Sequence, residues 1–165
     1  MNIKKPATLL AALATYGFSG AALAGTATGS LPVSAIVLES CTVVATPLIF
    51  AGAANIGSAD VDSTATITLS CTPNADFYVS LDQGANAVSG ARNMKIGSGT
   101  EVLPYEIYQD ASRTQIWGNS AGVNTKAGTA PLGVATMTAY GRIPSTAAAA
   151  SAGAYSDTVT VTVVF

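Results

Sequence analysis

The chain has 165 residues, enough for one ordinary domain. Only 10% of them are charged, against roughly a quarter in soluble domains, which favours a packed assembly or an exported β-rich protein over a cytosolic enzyme. Residues 25–165 contain five basic and nine acidic side chains, and this acidic balance excludes nucleic-acid binding through a basic surface.

The first 24 residues have the pattern of a secretory signal peptide. A short basic start, MNIKK, precedes the apolar stretch ATLLAALATYGFSGAA and the small-x-small cleavage site ALA at residues 22–24. A membrane anchor is the alternative, but the stretch is shorter than the roughly 20 residues of a spanning helix and contains Gly17, Ser19 and Gly20. We therefore expect cleavage after Ala24.

The next segment, GTATGSLPVSAIVLESC, alternates from Gly29 onwards and resembles a strand. Pro32 cannot donate a backbone hydrogen bond, so this strand cannot be central and fully bonded on both sides. No turn signal joins it to a neighbour. One side carries the apolar positions Leu31, Val33, Ala35 and Val37, and the other carries Ser30, Pro32, Ser34 and Ile36.

Cys41 and Cys71 are the only cysteines in the sequence. An even number of cysteines in an exported chain predicts a disulfide. Two free thiols or a metal pair are the alternative, which is weak because the sequence has no histidine and no second cysteine pair.

Two alternating runs follow, at residues 64–71 and 76–82. We predict that they are strands joined as a hairpin or a close crossover, because Pro73 and Asn74 supply turn chemistry between them. The apolar faces consist of Ala65, Ile67, Leu69 and Cys71 in the first run and of Phe77, Val79 and Leu81 in the second.

The rest of the chain also predicts strands. Residues 101–110 form one, with an edge or a bulge at Pro104, and residues 114–118 form a short one. Residues 133–143 form another, 145–153 form a linking loop, and 155–165 form the last strand, ending on Phe165. With helix signals nearly absent, this pattern is typical of an all-β sandwich or barrel.

Three stretches of the sequence resemble a known family. They are the segment TGSLPVSAIVLESCTV, the tyrosine-rich strand and turn LPYEIYQDASRTQIWG, and YGRIP followed later by GAYSDTVTVTVVF. In combination they are similar to the spore coat protein U domain, found in the subunits of archaic chaperone–usher pili. The resemblance implies an incomplete immunoglobulin-like β-sandwich that lacks its last strand and is completed by a donor strand from a neighbouring subunit.

The resemblance also implies partners and site residues. A periplasmic chaperone first lends a strand, and at an outer-membrane usher the N-terminal segment of the next identical or related subunit replaces it. The domains are then a signal peptide (1–24), a donor segment (25–38) and a pilin domain (39–165). The expected donor residues are Ala27, Gly29, Leu31, Val33, Ala35 and Val37, and the expected acceptor and chaperone-recognition residues are Val159, Val161, Val163 and Phe165.

Simpler structural interpretations of these and other residues remain open. The front segment could pair within its own chain, and Phe165 could be a core residue at a strand end. Asp110 and Arg113 indicate a turn, with Asp110 accepting local backbone bonds and Arg113 either exposed or paired with it. Asp60, Asp62 and Asp82 lack the spacing of a calcium loop. Trp117 and Tyr105 could stack on sugars but are more often core or interface residues.

The sequence therefore predicts a structural pilin, a rod subunit more than a tip adhesin, that reaches the cell surface and serves adhesion and biofilm formation. Its partners would be other pilins, the chaperone, the usher and a tip adhesin, and no cofactor, metal or nucleic acid is expected. The alternatives are a self-contained secreted β-sandwich that binds a sugar or a protein, and a small secreted hydrolase. The hydrolase lacks a titratable cluster to carry its chemistry.

Overall fold

The computed structural model describes residues 25–51, 56–147 and 150–165, so the expected signal peptide lies outside the described residues. The chain divides into two units, Met1–Ala35 and Ile36–Phe165. The described part of the first unit, residues 25–35, is exposed and has no regular secondary structure. No helix of the described ranges is long and apolar enough to cross a membrane.

All regular structure in the described residues is strand, and every pairing is antiparallel. The strands are β1 (Cys41–Ala45), β2 (Val61–Cys71), β3 (Ala75–Leu81), β4 (Asn93–Ile96), β5 (Val102–Pro104), β6 (Glu106–Tyr108), β7 (Lys126–Ala130), β8 (Val134–Ile143), β9 (Tyr155–Ser156) and β10 (Val161–Val164).

Two sheets enclose the core. One has the order β1-β2-β8-β6 and the other has the order β10-β3-β7, while β5-β4-β9 form a small third sheet. The inward side chains of the two larger sheets form one buried cluster, because alternate residues of a strand point to opposite faces. That cluster includes Ile67, Leu69, Phe77, Val79, Leu81, Met137, Ala139 and Trp117.

The predictions from the sequence are correct for the long central strands. The predicted connection between the first two of them is correct only in part. The strands predicted at 64–71, 76–82 and 133–143 are β2, β3 and β8. The expected hairpin between the first two is wrong, because β2 pairs with β1 and β8 whereas β3 pairs with β7 and β10. The close crossover is what forms, through a turn at Asn74 with φ of 65°.

Four other predicted strands are divided or missing. Residues 101–110 form β5 and β6, which lie in different sheets on either side of Tyr105. Residues 114–118 form only a bridge between Ile116 and Tyr108, although Trp117 is fully buried and its Nε1 donates to the Val79 carbonyl at 2.9 Å. Residues 155–165 form β9 and β10, and the segment expected to be a strand from Gly29 has no strand structure.

A buried arginine fixes the end of β3. Arg92 is 0% exposed. Its Nη2 donates to the carbonyls of Leu81, Asp82 and Trp117 at 3.0, 2.7 and 2.7 Å, and its Nη1 pairs with Glu106. A buried cation is tolerated only when it is paired and hydrogen-bonded, so these elements are held in one arrangement.

The predicted disulfide between Cys41 and Cys71 is present. The two residues lie directly opposite each other in the β1–β2 ladder, so the bond fastens the first residue of β1 to the last residue of β2. Because β1 is short and pairs with a strand on one side only, the covalent link supplements a small number of hydrogen bonds.

We expect the double substitution Cys41→Ser/Cys71→Ser to lower the free energy of unfolding by roughly 3–4 kcal/mol, since the unfolded chain is no longer closed into a loop. Urea denaturation of the purified subunit measures this difference, and reducing the wild-type protein should reproduce it. An unchanged unfolding midpoint in both experiments would show that the bond does not contribute to stability.

Candidate functional site

An open cleft lies between the edges of the two larger sheets. One wall is β1 with the segment of residues 46–50, and the other is formed by residues 155–161. Its volume is about 410 Å³. Its lining is mainly apolar and consists of Ala45, Thr46, Pro47, Leu48, Phe50, Ala65, Ile67, Leu81, Met94, Tyr105, Ile107, Ala139, Tyr155, Ser156, Asp157, Thr158, Val159 and Val161.

Both strands beside the cleft have a free edge. No strand in the described ranges pairs with β1 on the side away from β2, or with β10 on the side away from β3. In an antiparallel ladder, backbone groups point alternately towards and away from the partner strand. Each edge therefore presents a row of N–H and C=O groups to the cleft.

The hydrogen bonds show which backbone groups lie at the free edges. Thr46 N donates to Thr66 O on β2, and Asp82 N donates to Thr160 O beside β10. By alternation, the backbone groups of Val43 and Ala45 on β1 point away from β2, and those of Val161 and Val163 on β10 point away from β3, at the free edges. Those of Thr162 and Val164 face β3.

The side chains along the cleft are only half-covered. Val43, Val159, Val161 and Val163 are partly buried and pack against the core. A completed sandwich core would bury such residues fully, as β2 and β3 bury Leu69 and Val79. The core is therefore incomplete along this line.

The predicted acceptor residues divide into two groups. Val159 and Val161 line the cleft, and Val163 packs against the core without being among the lining residues. Phe165 follows β10 and is 50% exposed. The structure thus places the three valines along one edge, whereas the role expected for Phe165 stays a prediction.

The segment from Thr46 to Phe50 forms a wall that sequence reasoning missed. The side chains of Leu48 and Phe50 point inward beside Gly141, where a β-carbon would collide with both of them. The Phe50 ring meets Tyr105 edge-on, with centroids 6.2 Å apart. The alternation of Leu48 and Phe50 in TPLIF is the signal that could have revealed it.

A polar cluster closes one end of the cleft. Asp157 accepts hydrogen bonds from the Tyr105 hydroxyl at 2.6 Å and from the backbone and side chain of Asn86, both at 3.0 Å. Burial and the bond to Asp157 raise the pKa of Tyr105, so its hydroxyl remains a donor. The carboxylate lies against Gly84, whose φ of +82° and missing side chain make room for it.

Asp82 anchors the chain that leads into β10. Its Oδ1 accepts from the backbone N–H groups of Gly84 and Thr160, both at 2.9 Å. Burial opposes ionisation, but the hydrogen bonds from Thr160 and Gly84 outweigh it and lower the pKa of Asp82. The ionised carboxylate therefore holds β10 in place beside the cleft.

The predicted donor residues are unpaired in the structure. Ala27, Gly29, Leu31, Val33, Ala35 and Val37 all lie in residues 25–40, which contain no strand. Leu31, Val33 and Val37 are 86%, 87% and 79% exposed. Exposure of several large apolar side chains in succession is typical of a segment that is covered by a partner.

A family model identifies the family to which this chain belongs. The model of the Spore Coat Protein U domain (SCPU) matches residues 27–162. The chain belongs to this family. The all-β antiparallel sandwich agrees with that membership, and the free edges are the part of the SCPU domain that carries its candidate site.

Two known proteins are similar to this SCPU chain. "Protein U" of Myxococcus xanthus is 30% identical over 115 residues, which are 64% of this chain and 62% of that protein. The alignment thus spans less than two thirds of its length. The second is a chain in the crystal structure of the CsuC–CsuE chaperone–tip adhesion subunit pre-assembly complex, from the archaic chaperone–usher Csu pili of Acinetobacter baumannii. It superposes with a TM-score of 0.54 and 25% identity, covering 78% of this chain and 40% of that chain.

The remaining candidate residues of the SCPU domain have structural roles. Asp110 accepts bonds from the backbone of Thr114 and Gln115, which confirms the predicted turn. Arg113 pairs with Asp62 at 3.2 Å, so the expectation that it is exposed or paired with Asp110 is wrong. Asp60 and Asp62 bind Arg142. Among the described residues, no group of acidic or cysteine side chains could hold a metal ion.

The anchoring by Asp82 predicts a pH dependence of stability. Its pKa is lower in the folded state than the ordinary value of about 3.9, so its stabilisation is complete above that value and is lost as the pH falls below it. We expect Asp82→Asn to lower the melting temperature at neutral pH. The difference from wild type should shrink as the pH falls below about 4. Thermal unfolding followed by circular dichroism measures it, and a difference that stays constant with pH would contradict the assignment.

Proposed function

We propose that this chain is a structural subunit of a surface pilus assembled by the archaic chaperone–usher route through donor-strand complementation. The observation that carries the proposal is the cleft between the free edges of β1 and β10. A strand added there would pair with a free strand edge. Its apolar side chains would complete the core.

An inserted strand would cover the backbone groups and apolar side chains that the cleft exposes. Unpaired backbone groups beside apolar side chains are a template for aggregation unless another chain covers them. A flat ligand could cover the side chains, but only an extended peptide offers N–H and C=O groups that can pair along a free strand edge. A peptide strand is therefore the occupant that fits.

Residues 25–38 have the composition of such a strand. On insertion, Ala27, Gly29, Leu31, Val33, Ala35 and Val37 would face the core. Each of the larger side chains contributes roughly 1.5–3 kcal/mol when fully buried. Each backbone hydrogen bond adds about 0.5–1.5 kcal/mol. Several of each in a dry cleft would give a joint that dissociates very slowly.

Residues 38–40 lie alongside the end of β2. Ser40 N donates to Thr72 Oγ1 at 3.1 Å, and Ser40 O accepts from Thr72 N at 2.8 Å. Thr72 Oγ1 in turn donates to Leu38 O at 3.3 Å. These bonds continue the path of β1 alongside the end of β2 and leave no turn at residues 38–40.

A polymer follows from these two features. Each subunit would offer the cleft and a donor segment, which would contact different surfaces of the neighbour. Such head-to-tail contacts form an open filament unless the rotation between subunits closes a ring. The two components of a repeating joint are thus encoded in one chain.

The partners and the location belong to the same proposal. A periplasmic chaperone would cover the cleft during export, an outer-membrane usher would catalyse the exchange, and a tip adhesin would end the fibre. Support comes from family membership and from the likeness to a chain in the Csu chaperone–subunit complex. The fibre would lie on the cell surface and serve adhesion and biofilm formation.

Two neighbouring substitutions test the donor segment. We expect Val33→Asp to abolish polymers, because the carboxylate would be buried unpaired in the cleft of the next subunit. Ser34→Asp should leave polymers intact, because its side chain would face outward. The measurement is an unboiled gel of surface-sheared material, in which wild type should give a ladder that collapses to a monomer on boiling.

The pair is matched in charge and in chain position, so a general effect on export would affect both variants. Loss of the ladder in both, or its retention in both, would contradict the assigned faces of the donor strand. A wild-type protein that runs as a monomer under both treatments would refute the proposed function.

A further inference from the structure

The outward face of the β1-β2-β8 layer is rich in threonine. Thr66 lies opposite Thr138 and Thr68 lies opposite Thr136 in the β2–β8 ladder. The outward positions Thr42, Val44, Thr64, Ser70 and Val134 adjoin them. We call these nine side chains the threonine face.

The threonine face has no charge, although the chain has an acidic balance. Asp62 and Arg142 pair with each other across the strands at one end, and Ser70 and Val134 lie at the other. Between these two pairs, no outward position of the three strands is charged. Two copies can therefore bring this face together without the like-charge repulsion that acts elsewhere on their surfaces.

Donor-strand insertion would enlarge this surface. β1 is both the edge of the cleft and the edge of the threonine face, so a strand that pairs with β1 becomes its next row. In the proposed donor strand the outward positions include Thr26, Thr28, Ser30 and Ser34. The inserted strand would continue the uncharged hydroxyl surface across the joint between two subunits.

We infer that the threonine face is a lateral contact between neighbouring fibres and that its partner is a second copy of the same face. This inference rests on the proposed polymer. Sheets pack face to face at about 10 Å, and methyl groups of threonine can interdigitate there while the hydroxyls exchange hydrogen bonds. The fit is self-complementary because both surfaces have the same composition.

The area of the threonine face explains why a stable lateral contact requires a polymer. At about 3.4 Å per residue and 4.8 Å between strands, it covers roughly 300–400 Å² per subunit. Stable protein pairs bury about 800 Å² on each partner, so two isolated subunits would not remain associated. A fibre repeats the contact along its length, and the linked contacts act together.

The structure disfavours a sugar as the partner. Sugar-binding surfaces commonly offer an open aromatic ring, and the ring next to this face is Tyr140, which lies opposite Thr64. The guanidinium of Arg113 covers Tyr140 at 5.8 Å from the ring centroid. The surface that remains is flat and offers hydroxyl and methyl groups.

The test uses fibres of wild type and of Thr66→Glu/Thr136→Glu, which adds charge at exposed positions whose side chains make no hydrogen bond in the structure. The control is Ala127→Glu/Thr162→Glu, with the same charge on exposed outward positions of the other sheet. We expect the face variant to reduce the fraction of fibres in bundles on the order of tenfold, since the repeated contact is lost along the whole fibre. Electron microscopy and low-speed sedimentation measure bundling, and the control should bundle like wild type.

The unboiled gel distinguishes failure of the proposed polymer from failure of the proposed lateral contact. A wild-type protein without a ladder would refute the proposed polymer and this inference with it. An intact ladder with equal bundling of wild type and face variant would overturn the inference alone. Wild-type fibres that stay separate would also overturn it, as would wild-type fibres that bind a neutral polysaccharide such as cellulose through this face. Should the double variant fail to assemble, Thr66→Glu and Thr136→Glu are tested singly. Wild-type bundles should also persist as salt is raised, because the contact is uncharged.

Discussion

Two free strand edges beside an open apolar cleft are the feature on which the rest of this structure depends. The backbone groups of Val43, Ala45, Val161 and Val163 point away from their partner strands, and the apolar side chains beside the cleft are half-covered. A folded domain normally pairs its strand edges or protects them. Here the domain keeps them available, so its completion has to come from outside the described sandwich.

The surrounding contacts keep the cleft in a defined shape. The disulfide between Cys41 and Cys71 holds β1, and Asp82 holds the approach to β10. Arg92 ties the end of β3 to neighbouring segments from within the core. Each anchor lies on a wall of the cleft or directly behind one. The walls are therefore positioned before any strand arrives, which lowers the ordering that binding requires.

Alternation along the sequence was sufficient for single strands but not for their partners. It identified β2 and β3, because a strand with one buried face has a period of two. It could not show that the chain changes sheets at Tyr105, since burial alternates without interruption through that corner. The polar end of the cleft joins Asp157 to Tyr105 and Asn86, which are far apart in the sequence. No local sequence pattern predicts such a contact. The donor and acceptor roles came from the family resemblance instead.

Amide hydrogen exchange, resolved to single residues in the lone subunit and in fibres, tests the open edge most directly. The account predicts that Val161 and Val163 exchange quickly in the lone subunit and slowly in fibres, because a donor strand then accepts their hydrogen bonds. Thr162 and Val164, which face β3, should be protected in both and serve as internal controls. Equal protection of Val161 and Val163 in the lone subunit and in fibres would show that the edge is already covered, and would contradict the account.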